Sequence, residues 1–143
     1  MSCSYEPGAA TGNNAEIDKL ALETDFSQLG RFLVTRKRGD IGAFKTPFLR
    51  DVLLTAPYMH DGSLETLWDV VEFFNKGGER NPFLDAEMKP LGLTESEVED
   101  LVNFLGALTS DRFAELRAAE LDRQRATFLY RRAVQHETHN TAR

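Results

Sequence analysis

Cysteine is nearly absent. Cys3 is the single one in 143 residues, so no disulfide forms within the chain and it holds no Cys-x-x-Cys-His motif. Basic charge is also short: 17 Lys and Arg stand against 23 Asp and Glu, a net charge of -6. Binding a phosphate backbone needs a basic surface, which argues against a nucleic-acid binder. No apolar run reaches the length of a membrane span. The opening residues, MSCSYEPGAATGNN, lack a basic segment followed by an apolar one and do not read as a secretory signal. Taken literally, the sequence is that of a soluble intracellular chain or of a piece of something longer.

What is present is ordinary for a globular protein: 41% hydrophobic and 10% aromatic residues, at a length that suggests one domain with a real core. Residues 1–24 are small and polar and read as a disordered or truncated segment, with Cys3 as an exposed thiol. Ile17, Leu20 and Ala21 have helical spacing over a short run. GRFLVT, residues 30–35, reads as a brief extended segment, and the charge run 36–40 as a solvated turn.

The centre of the chain is FKTPFLRDVLLTAPYMHDG, residues 44–62. Its prolines bias the preceding residues toward extended geometry. Val52, Leu53 and Leu54 read as buried. Ser63 is a candidate cap for a helix whose inward face is Leu64, Leu67, Val70, Val71 and Phe74, with Trp68 at its edge. Asn75 to Gly78 ends that helix. Thr94 and Glu97 have capping-box spacing ahead of the stripe Val98, Leu101, Val102 and Leu105. Ser110 or Asp111 caps a last helix to about Val134, thinly apolar and partly exposed, before a polar tail. The fold expected is mostly α with long structured loops, of a kind that needs a functional reason or a bound group to stay ordered.

Six blocks in register resemble one family: GRF with Thr35, GAFKTPFLRDV, LTAPYMHDGSLETL, VVEFFNKGG, NPFLDAEMKPLGLT and DLVNFLGALT. Together they resemble the C-terminal haem domain of bacterial dihaem cytochrome c peroxidases, nearest the MauG-like branch. The resemblance covers residues 25–110. It leaves 1–24 as an N-terminal segment and 111–143 as a helical arm with a polar tail.

The resemblance implies a cytochrome c-like helical fold, c-type haem and reduction of hydrogen peroxide, or oxidation of a partner protein as in the MauG-like branch. It also implies a periplasmic setting and an N-terminal haem domain facing this one, with calcium between them. The electron partner is a small redox protein, a cytochrome c or a cupredoxin. By this resemblance His60 is the haem-pocket histidine, and the backbone carbonyls of Thr55 and Pro57 are calcium ligands. Arg31, Lys45 and Arg50 stand at basic positions that serve haem propionates or the domain interface.

Two family features are missing. The family's haem attachment motif lies upstream of the GRF block, where this chain has one cysteine and no histidine. The distal iron ligand, Met or Tyr in the family, stands fourteen residues after the block's histidine, which is Phe74 here. A phenyl ring has no donor atom for iron.

Each functional assignment has a plainer alternative. His60 also fits a turn residue fixed by local hydrogen bonds. Met59, an iron ligand in principle, fits loop packing better. Phe74 reads as core, and Tyr58 and Trp68 as packing residues rather than electron relays. His136 and His139 lie in the polar tail and carry no specific role. The alternative to a haem-dependent domain is a haem-free remnant that binds a partner without catalysis.

Overall fold

The computed structural model describes residues 29–80 and 84–141. The expectations for Cys3, for the segment 1–24 and for the side chains of His136 and His139 lie outside them. Among the described residues there are four α-helices: α1 Phe32–Thr35, α2 Leu67–Asn75, α3 Glu95–Ala107 and α4 Ala114–Thr141. Single turns of 3-10 helix occupy Arg38–Asp40, Val52–Thr55 and Asp111–Phe113. Among the described residues no strand forms; the one β contact is an isolated antiparallel bridge between Tyr58 and Leu64.

The chain divides into two compact units. The smaller takes in residues 29–46 and Leu84. Leu29, Phe32 and Ile41 are buried together there, with Leu33 against them. The GRFLVT segment is helical from Phe32, not extended, because Phe32 turns inward while Arg36, at φ 55°, caps the helix by donating to the Phe32 carbonyl. Gly30 is obligatory at φ 54°, since a Cβ there would sit 2.4 Å from the Ala43 carbonyl oxygen. That close approach lets the Arg31 N–H reach the same oxygen at 2.8 Å.

The larger unit spans residues 47–80 and 85–141. Its core joins Leu53, Tyr58, Leu67, Trp68, Val71, Val98, Val102 and Phe128, so the Val52–Thr55 turn and all three of its α-helices contribute. Helix α2 starts at Thr66 rather than near Ser63. The Thr66 hydroxyl accepts from the Asp69 N–H and the Asp69 carboxylate accepts from the Thr66 N–H, a closed capping box. Helix α3 starts where its sequence says, with the same reciprocal pair between Thr94 and Glu97.

Further expectations change. Phe74 is 43% exposed, and Trp68 is buried. With 3.6 residues per turn, the inward direction set by Leu67, Trp68 and Val71 lies about 70° from Phe74 and much closer to Asn75. Val52 and Leu54 are only half-buried, while Leu53 alone is sealed. The last helix runs to Thr141, beyond the expected end near Val134. Its inward row is Leu121, Gln124 and Phe128, completed by Arg131, which pairs with the capping carboxylate Asp69.

The end of α2 explains the Asn75-x-Gly77-Gly78 pattern. The Asn75 side chain accepts from the Leu93 N–H at 2.8 Å and donates to the Leu93 carbonyl at 3.1 Å. Its backbone carbonyl takes the Leu91 N–H at 3.0 Å. A chain pulled this close leaves no room for a side chain at residue 77: at φ +83°, a Gly77 Cβ would lie 2.8 Å from the Pro90 ring.

Candidate functional site

From Asp51 to Leu64 the central segment is fixed at both ends. At its start Asp51 adopts φ 60°. Its N–H donates to the Leu108 carbonyl at 3.2 Å. Its carboxylate accepts from the Ser110 N–H and hydroxyl at 2.6 and 2.9 Å. These bonds, the backbone one first, hold the Asp51 carboxyl below its ordinary range. The chain then drops Leu53 into the core and leaves through a cis Ala56–Pro57 peptide.

The segment from Tyr58 to Leu64 closes on itself. The Tyr58 N–H donates to the Leu64 carbonyl at 2.6 Å, and the Leu64 N–H returns to the Tyr58 carbonyl at 3.3 Å. Between them Met59 and Gly62 take positive φ, 70° and 71°. The Asp61 carboxylate accepts from the Ser63 N–H at 3.1 Å and is held below its ordinary range by that residue's side chain and backbone. Tyr58 points inward and Met59, His60 and Asp61 are exposed. The PYMHDGS block is therefore a pinned turn whose tip carries His60.

A buried amide pins it. Gln124 of α4 is 0% exposed. Its oxygen accepts from the Leu67 N–H at 2.8 Å. Its two amide hydrogens face three acceptors: the Leu53 carbonyl at 3.0 Å, the Tyr58 hydroxyl at 3.1 Å and a Glu120 carboxylate oxygen at 2.9 Å. The Tyr58 hydroxyl passes its own proton toward the Leu53 carbonyl at 3.3 Å. Burial pushes the Tyr58 phenol up to about 12, so it stays a neutral donor at any physiological pH. Sequence reasoning missed Gln124, whose neighbours Arg123 and Arg125 give it the look of a solvated face.

The remaining candidates sit as follows. Thr55 and Pro57 are exposed on the same loop, the Thr55 hydroxyl turned back to the Val52 carbonyl at 2.8 Å. Arg50 is exposed beside Asp51. Phe74 stands at the end of α2, edge-on to Phe73 with ring centroids 5.5 Å apart. Arg31 and Lys45 belong to the smaller unit, where Arg31 lies 3.7 Å from Asp40. Among the described residues no cluster of three or more His, Cys, Asp or Glu could hold a metal ion. One cavity of about 370 Å³ lies between α2, α3 and α4. Its floor is Trp68, whose indole N–H donates to Glu99 at 2.9 Å, and Phe128. None of the candidate residues lines it.

No protein-family model matches the chain. Known proteins do. It is 51% identical over 80 residues to the cytochrome-c peroxidase IdrP1 of Denitromonas iodatirespirans, which covers 56% of this chain and 21% of that protein. It is 51% identical over 69 residues to the methylamine utilization protein MauG of Methylorubrum extorquens, covering 48% of this chain and 20% of that one. The crystal structure of a MauG-like protein associated with microbial copper homeostasis superposes with a TM-score of 0.55 and 35% identity, over 58% of this chain and 29% of that one. Over about half of its length, the chain's homologues are cytochrome c peroxidases and MauG. The chain spans about a fifth of the length of the curated relatives it matches.

The haem of that family finds no complete holder among the described residues. Covalent attachment takes two cysteines and a histidine, and these residues include no cysteine. Phe74, where the family resemblance expects the distal ligand, offers iron no donor atom. The described residues by themselves do not fit covalent attachment of a haem.

Proposed function

We propose that this chain forms one wall of the C-terminal haem site of a cytochrome c peroxidase-type enzyme, as part of a longer protein that supplies the haem attachment. The observation that carries the reading is the pinned turn that presents His60 outward from a segment homologous to known peroxidases. An imidazole can both accept and donate a proton, which suits proton handling at such a site. Exposed apolar side chains in the larger unit, Phe48, Leu49, Leu101 and Phe104, give a cofactor or a facing domain surface to cover.

The intact enzyme would reduce hydrogen peroxide with electrons from a cytochrome c or a cupredoxin, or oxidise a partner protein, in the periplasm. Its N-terminal haem domain would face this one. Arg31, Lys45 and Arg50 would serve propionates or that interface. The Thr55 and Pro57 carbonyls would contribute to a calcium site, since carbonyl oxygens suit a hard cation. With the other ligands supplied from outside, calorimetric titration of this chain alone should show only weak calcium binding.

Two measurements test the reading. The coding DNA upstream of Met1, read in all frames, should contain Cys-x-x-Cys-His motifs. The purified chain should give no covalent haem band by pyridine haemochrome, whereas the longer protein should give one. A second reading, a haem-free domain that binds a partner, is favoured by Phe74 at the ligand position. It gains if no such upstream motif exists.

A further inference from the structure

We infer that Gln124 is a positioning residue for the turn that presents His60. The inference rests on the reading of that turn as a site wall, but its physical content is independent of haem. One fully buried amide touches all three parts of the wall: the Val52–Thr55 turn through the Leu53 carbonyl, the His60 turn through the Tyr58 hydroxyl, and the start of α2 through the Leu67 N–H. Each of these is also buried, with Leu53 at 0%, Leu67 at 1% and Tyr58 at 8% exposure. Water therefore has no access to replace a lost partner, and a buried donor or acceptor left alone is costly.

The alternative is that Gln124 merely fills the core. Packing alone would be served by an apolar residue of the same length, such as methionine. The amide does what methionine cannot: it fixes the rotation of Tyr58 about its own bonds, and the Met59–Asp61 tip is attached to that residue. Helix α4 thus bears on the orientation of the His60 turn through Tyr58.

The test uses the full chain without added haem, so that a failure to bind haem counts against the reading above and not against this one. Gln124→Met is compared with wild type by amide hydrogen exchange and by diethylpyrocarbonate modification of His60 mapped to its own peptide. Exchange at Tyr58 and Leu64 should accelerate about tenfold, with Val102 in α3 unchanged, and the His60 modification rate should shift. Uniform acceleration at all three amides, or an unchanged His60 rate, overturns the proposal. Should Gln124→Met fail to fold, Tyr58→Phe decides, because it keeps the ring and removes only the hydroxyl. It should shift His60 reactivity in the same direction and by less, and an unchanged rate there overturns the proposal equally.

Discussion

Asp51 takes both polar hydrogens of Ser110, the backbone N–H at 2.6 Å and the hydroxyl at 2.9 Å. The two residues are 59 positions apart in sequence. Their contact joins the entry of the central loop to the turn between α3 and α4. Because Asp51 sits at φ 60°, a conformation that costs a non-glycine residue energy, the bonds to Ser110 help offset the strain.

The Asp51 contact should be visible in the pH dependence of stability. Its folded pKa lies below the ordinary 3.8, so its contribution is complete above that value and is lost as pH falls through the depressed one. Asp51→Asn should lower the urea midpoint at pH 7. The gap between variant and wild type should close as acid protonates the native carboxylate. A gap that stays constant down to acid denaturation would mean that the charge is irrelevant.

Gly77→Ala tests the lock at the end of α2. The substitution meets both a positive φ and a Pro90 ring 2.8 Å away. It should cost more than the roughly 1 kcal/mol of a simple left-handed glycine replacement, read by urea unfolding. Gly92→Ala, also at positive φ but with nothing within 4 Å, should cost less.

Trp68→Phe keeps a ring near Phe128, whose centroid lies 6.3 Å away, and removes the donor to Glu99. Loss of the hydrogen bond alone should cost about 1–3 kcal/mol by chemical denaturation followed by circular dichroism. Since Trp68 is the only tryptophan, the wild-type indole emission should be blue-shifted when folded and red-shifted on unfolding.

Removal of residues 111–143 should unfold the larger unit rather than trim it. The truncation strips Phe128 from the core and leaves the Leu67 N–H, the Leu53 carbonyl and the Tyr58 hydroxyl without Gln124. The truncated chain should lose cooperative thermal unfolding. A sharp transition near that of the full chain would show that α4 is dispensable.

The legible parts of the sequence were those in which local chemistry decides. Thr94 and Glu97 satisfied each other as read. Leu67 and Val71 are buried as their helical spacing requires, and of the run Val52 to Leu54 only Leu53 is. Thr66 was missed in favour of Ser63, because Asp69 does the work more often given to Glu or Gln in a capping box. Spacing alone puts Phe74 on the core face because a helical face read from spacing has no fixed centre; Asn75, bonded to Leu93, shifts it. Gln124 had no local signature that marks it as buried: apart from Glu120, four residues back, its partners lie 57 to 71 residues away. Of the candidate site, the sequence yielded the loop, its turn and its family. The clamp behind the turn exists only in three dimensions.

Asn75 gives the helix pair a single point of registration. Its backbone carbonyl holds Leu91 and its side chain holds Leu93, immediately before the Thr94 cap that starts α3. The end of one helix thereby fixes where the next begins. A changed side chain at this one position would loosen the start of α3 even with every capping residue intact.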